Sequence, residues 1–210
     1  MTARASDGRV PGRRGQATRQ RLLECTLAML DTASYRDLKV VDIAREAGTS
    51  PATFYQYFTD VDAAIAELAG DMAADGATRL GGLLEGTRWS GEDAEASVRM
   101  LVTGFLDFWD ANRPLMRVID LKAAEGEGRI RSTRKDLLAG FSNGLAECVQ
   151  RKSLPDAPAN PWAMASVAVT MLVNVAIQRE IFAASEIPDE DMIDAVARLL
   201  LAAVTGTTTG

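Results

Sequence analysis

The sequence predicts an all-α protein of about nine helices. Three observations carry this reading. Apolar residues recur at helical spacing along nearly the whole chain, no stretch alternates in the β-branched pattern of a strand, and Gly, Pro and acidic clusters cut the chain into helix-length pieces. The 210 residues allow one sizeable domain or a small one joined to a larger one. With 47% apolar and 25% charged residues, the composition is that of an ordinary globular protein.

The elements follow in order. Thr18 is placed to cap a first helix that carries Leu22, Leu23, Thr26, Leu27 and Leu30 on one face. A short helix is expected from about Val40 to Ala47, then a turn at Gly48. Ser50 and Pro51 open the third helix, serine as N-cap and proline at the first helical position, where its missing N–H costs nothing. Asp60 caps a fourth helix running towards Gly81 and Gly82. Five more are expected at roughly 91–111, 114–124, 129–151, 160–184 and 190–204, divided by glycines, by Pro114 and by Pro188. The nearly apolar run 162–177 is interrupted by Ser166, Thr170 and Asn174 and is shorter than the roughly 20 residues of a membrane span. It reads as a buried helix of a soluble protein, and no membrane partner is expected.

Composition narrows the chemistry. There is no histidine, which removes Ser-His-Asp and Cys-His catalysis, His-ligated zinc or haem, and the commonest general acid-base residue. Cys25 and Cys148 form no C-x-x-C pair, so zinc knuckles and redox motifs are absent as well. A reduced, cytoplasmic protein without cofactor or metal, and not an enzyme, is the reading; no secretory signal opens the chain. The acidic group Asp189, Glu190, Asp191 and Asp194 follows Pro188 at a helix start, where carboxylates oppose the macrodipole, and is read as an N-cap feature rather than a metal site.

The formal charge of −6 is unevenly spread. Residues 1–60 hold nine basic and seven acidic side chains, whereas 61–210 hold fourteen and twenty-two. At the start, Arg4, Arg9, Arg13, Arg14, Arg19 and Arg21 face the single Asp7. Such an arm, assigned to residues 1–17, suits phosphates or a narrow minor groove; the alternative is a solubilising tail.

Residues 40–58 meet the demands of a helix-turn-helix. Ala44 permits the close crossing of two short helices, Gly48 permits a left-handed turn, and Ile43, Ala47 and Phe54 can lock both helices onto the first. Ser50, Ala52, Thr53, Tyr55, Gln56 and Tyr57 then face outward or sideways, with no acid among them. Thr53 and Gln56 can reach base edges, Ala52 or Thr53 can touch thymine methyls, Tyr55 and Tyr57 can bond phosphates, and Lys39 adds a backbone contact. Phe54 and Phe58 are read as core.

The order of a Thr-capped helix, the D-I-A-x-E-A-G turn at 42–48 and S-x-x-T-F-Y-x-Y-F at 50–58 resembles the TetR family of bacterial transcriptional repressors over residues 18–68. Phe105, Trp109 and the segment 174–182 resemble the ethionamide-resistance-regulator branch of actinobacteria. Three positions depart from the family pattern. Ser34 stands where glycine is usual, Thr49 where Val or Ile is usual, and Val61 where a lysine usually contacts phosphate. The resemblance implies a helix-turn-helix head at 18–65, a ligand-binding and dimerisation body at 66–210, and a homodimer through the last two helices. The apolar circumference of 162–182 and the stripe Met192, Ile193, Val196, Leu199, Leu200 and Ala203 agree with such a seam.

A hydrophobic small-molecule effector is expected in the body, lined by Phe105, Trp109, Leu138, Phe141, Met171, Asn174 and Gln178, with Asn174 as a buried orienting amide. The resulting expectation is a homodimeric repressor on a palindromic double-stranded DNA operator, associated with the nucleoid and released by that effector. Two alternatives stay open: a DNA-binding regulator with no inducer, and a helical lipid-binding or enzymatic protein with a vestigial DNA head.

Overall fold

The computed structural model describes residues 12–151 and 160–206. Among them the chain forms nine α-helices and no strand. These are α1 (Arg13–Thr32), α2 (Val40–Glu46), α3 (Pro51–Tyr57), α4 (Val61–Gly86), α5 (Ala94–Ala111), α6 (Arg113–Ala124), α7 (Gly128–Arg151), α8 (Pro161–Ala184) and α9 (Asp189–Thr205), with one 3-10 turn at Tyr35–Asp37.

Several elements differ in detail from the sequence reading. Helix α1 begins at Arg13, so Thr18 is no cap: its hydroxyl donates to the Arg14 carbonyl at 3.0 Å, the back-bonding that lets a hydroxyl residue sit within a helix. Residues 13–17, expected in the arm, are therefore helical, while Arg4 and Arg9 lie outside the described residues. Helix α4 runs through Gly81 and Gly82 to Gly86, its interior glycines outweighed by the burial of Leu80 and Leu84. Ser34 costs nothing, because the exit of α1 is extended and no left-handed residue is needed there (φ −63°, ψ 138°).

The chain folds as two compact units. Among the described residues, one comprises those up to Met72 together with Arg113–Thr133; the other comprises Ala73–Asn112 and those from Arg134 onward. Helix α6, expected in the body, thus clusters with the head.

The head unit is built on a closed core of Leu22, Leu23, Ile43, Ala44, Phe54 and Phe58, with Cys25, Met29 and Tyr57 packed at its edge. Thr26 is fully buried and satisfied by donating to the Leu22 carbonyl at 2.8 Å. Arg19 is used structurally: its guanidinium pairs with Glu67 and lies 5.2 Å from the Phe58 ring centroid. One of the six N-terminal arginines is therefore committed to the fold.

Helix α6 packs on α1 and buries Leu115, Met116, Val118, Ile119 and Lys122. The lysine is only 4% exposed. Its ammonium sits 3.0 Å from Asp62 Oδ2, 2.9 Å from Glu127 Oε2 and 4.7 Å from the Tyr35 ring centroid. Burial alone would depress its pKa, but the hydrogen bonds to Tyr35, Glu127 and Asp62 overcome this and raise it above the ordinary lysine value. The Tyr35 hydroxyl also donates to Asp62 at 3.0 Å.

In the second unit α5 packs on α8 and α9. Phe105, Trp109 and Phe141 form its aromatic centre, with Phe105 stacked on Trp109 at 6.1 Å and tilted on Phe141 at 5.3 Å. Gly76 admits α4 to this packing, since a Cβ there would stand 2.4 Å from Leu137 and 2.5 Å from Phe108. Arg179 links Asp110 to Asp189; its hydrogen bond to Asp189 raises its own pKa and lowers that of the carboxylate. Asp194 pairs with Arg99. The four acids of α9 do not cap it, because Pro188 holds the N-cap position; Asp189, Glu190 and Asp191 lie in the first turn.

Helix α8 is not the buried helix expected. Asn160 caps it, accepting from the Trp162 and Ala163 amides at 3.0 and 3.2 Å, and Ala165, Ala168, Leu172, Val173 and Ala176 face the core. Its opposite side leaves Val167 67% and Ile181 60% exposed. By length and composition alone this 24-residue helix could cross a membrane.

Candidate nucleic-acid interface

The two short helices of the head meet through a complete Schellman turn. The Gly48 amide donates to the Arg45 carbonyl at 3.0 Å, the Thr49 amide reaches back to Ala44 at 2.8 Å, and Gly48 takes φ +67°. Thr49, in place of the usual Val or Ile, is half-buried in this turn. Ile43, Ala44 and Phe54 are fully buried and Ala47 is 7% exposed, so the residues that fix the crossing occupy the places their spacing indicates.

Ser50 caps α3: its hydroxyl accepts from the Thr53 amide at 3.2 Å and lies 3.0 Å from the Thr53 hydroxyl. Proline at the next position completes the start. The helix has seven residues and none is charged. Pro51, Ala52, Tyr55 and Gln56 are exposed, Thr53 and Tyr57 are half-buried, and Phe54 and Phe58 are interior. Tyr55 is 53% exposed and meets Phe54 edge-on at 6.0 Å, whereas Tyr57 packs against the head core. The four aromatics of residues 54–58 divide as the helical period requires: Phe54, Tyr57 and Phe58, at i, i+3 and i+4, turn towards the core, so Tyr57 is not the outward residue expected, and Tyr55 turns out.

Lys39 is exposed immediately before α2, and its extended backbone accepts the first helical amides. Arg45, on the exposed side of α2, is held by Asp42 at 2.6 Å. Asp60 caps α4 by accepting from the Ala63 amide at 2.7 Å, and Asp62 is spent on Lys122 and Tyr35. The two acids flanking Val61 are therefore structural.

The residues expected around an effector fall into two groups. Phe105, Trp109 and Phe141 come together in the interior of the second unit, with Leu138 half-buried on α7. Met171, Asn174 and Gln178 do not join them. Asn174 is exposed on α8 and accepts from Gln178 Nε2 at 2.7 Å; with Ser166, Val167, Thr170 and Met171 it lines a shallow outward groove. The expectation of a buried Asn174 fails because the apolar circumference of α8 hides which side is interior. Lys122 went unnoticed in the sequence, although Leu115, Ile119 and Lys122 mark it as a charge on a core-facing row.

Comparison with known proteins adds to this geometry. Residues 22–69 match the family model of tetR-family bacterial regulatory proteins, and residues 80–209 match the tetracyclin repressor-like C-terminal domain. Among solved structures, a tetR-family transcriptional regulator from Streptomyces coelicolor superposes with TM-score 0.70 at 16% identity, over 91% of this chain and 82% of its own. The fatty acid degradation regulator FadR from Bacillus halodurans gives 0.65 at 16% identity, covering 92% and 97%. FadR from Bacillus subtilis, solved in complex with stearoyl-CoA, gives 0.59 at 15% identity, covering 90% and 99%. At such identities these neighbours share the fold, while the two family models span head and body alike: the chain belongs to the TetR family of transcriptional regulators.

Proposed function

We propose that this regulator is a cytoplasmic homodimeric repressor that binds a palindromic operator through residues 39–57 and leaves it when a hydrophobic small molecule enters its body. The observation that carries the DNA-binding part is the uncharged, outward face of α3, set at a fixed angle by the Schellman turn. A helix of seven residues spans only about 10 Å and reads a few base pairs, so specificity requires two copies about one DNA turn apart. Thr53 and Gln56 take the base edges, Ala52 a thymine methyl, and Ser50, Tyr55, Tyr57 and Lys39 the sugar-phosphate backbone.

The dimer seam is the outward row of α8, Val167, Thr170, Asn174, Ile177 and Ile181, together with Leu199 of α9. In this seam Asn174 and Gln178 are a polar pair within an apolar interface, suited to fixing its register. The effector is an apolar chain admitted among Phe105, Trp109, Leu138 and Phe141. The stearoyl-CoA complex of the Bacillus subtilis neighbour supports an acyl chain as its class. Such a ligand acts by favouring a dimer whose heads no longer match successive major grooves.

Footprinting of the DNA upstream of the chain's own gene tests this reading. A protected palindrome, lost on adding a long-chain acyl-CoA, is the expected result; uniform protection at every concentration would overturn it. In the same assay Thr53→Ala with Gln56→Ala should relax specificity by about 1–3 kcal/mol per lost base contact, whereas Lys39→Ala should weaken all sequences alike.

A further inference from the structure

We propose a second small-molecule site, in the head unit, built for an amphipathic organic cation. It is a cleft of about 350 Å³ between the end of α1, the 3-10 turn and α6, within the size range of small-ligand sites. Leu30, Val118, Leu121 and Pro114 supply apolar walls, and the last turn of α1 supplies the polar one.

The charge on that polar wall is unbalanced. Asp31 lines the cleft, exposed, with no ion pair or hydrogen bond among the described residues. It stands at the negative end of the α1 macrodipole, and the last turn of that helix holds no basic side chain. Beyond Met29, whose carbonyl takes the Ala33 amide at 2.9 Å, the carbonyls of Leu30, Asp31 and Thr32 receive no hydrogen bond from the segment that follows. A carboxylate and a helix end whose last carbonyls take no amide from the following segment thus border one side of the cleft. Among the described residues one cation lines it, Arg117 on α6, which has a partner of its own.

A primary ammonium fits this arrangement: its donors satisfy Asp31 and the carbonyls, and an alkyl tail of moderate length lies along Val118 and Leu121. Because α6 packs on α1 and is tied through Lys122 to Tyr35 and Asp62, an occupant of the cleft adds contacts to both helices and stabilises the head unit by mass action. The site is separate from the effector proposed for the body.

Calorimetric titration of the full chain with hexylammonium, hexanoate and hexanol tests the proposal without DNA, so its failure leaves operator binding untouched. Hexylammonium should bind in preference to the other two. Asp31→Asn should weaken it about threefold to tenfold, the cost of losing a charge-assisted bond in a partly exposed site. Ser34→Trp, which fills the cleft from an exposed position, should abolish binding. Both variants replace exposed residues, and an unchanged melting temperature shows that they fold. No binding of hexylammonium, equal binding of hexanoate, or wild-type titrations from both variants would overturn the assignment.

Discussion

Helices α3 and α8 both turn a face outward, and the two faces differ in chemistry. Helix α3 shows proline, alanine, tyrosine and glutamine on an otherwise closed core. Helix α8 shows Trp162 at 53%, Val167 at 67% and Ile181 at 60% exposure. The first surface loses little in water and gains by meeting hydrogen-bonding partners and phosphate. The second is unfavourable in water, at roughly 25 cal/mol per Å² of apolar area, and gains by meeting another apolar face. One fold therefore presents a surface suited to a nucleic acid and a surface suited to protein, on separate units.

The contrast can be broken from either side. Phe54→Ala removes a fully buried ring beneath α3 and should cost about 3–5 kcal/mol, seen in calorimetry as earlier melting of the head and in gel shifts as loss of DNA binding. Val167→Glu with Ile181→Glu changes only exposed positions of the single chain, so helicity and core stability should persist. Sedimentation should show a monomer, and operator affinity should fall about a hundredfold because half the contacts leave. An unchanged dimer in the sedimentation profile would remove α8 from the seam.

Smaller effects sharpen the picture of the head. Lys122→Met leaves Asp62 and Glu127 without their cation; because both carboxylates keep access to water, the expected loss is about 1–3 kcal/mol in denaturant unfolding. Gly48→Ala meets no neighbour within 4 Å, so its cost is the left-handed backbone alone, about 1 kcal/mol. A larger value on melting would mean that the turn carries more than its geometry.

Much of the head was legible in the sequence because its constraints are local. Gly48 needs a positive φ, Ser50 and Pro51 mark a helix start, and Phe54 and Phe58 recur on one face. Thr18 misled because a hydroxyl residue serves equally as a cap or as a back-bonded interior residue, and only the helical tendency of 13–17 decides between them. Sidedness was hidden in α8, where alanine, valine and leucine surround the helix and the inward row is chosen by contact with α5 and α9. Asn174 was misplaced for that reason. The grouping of α6 with the head goes with its packing on α1 and with Lys122 meeting Asp62 and Tyr35, contacts between segments distant in sequence that no local pattern announces.

Fluorescence anisotropy reads sequence-selective DNA binding by the α3 face without any other component. The full chain would be titrated against its own upstream region and against a scrambled duplex at two salt concentrations. Binding to the upstream DNA should be tighter by about 10³-fold or more, with affinity falling steeply as salt rises. Equal affinity for the two duplexes would contradict it.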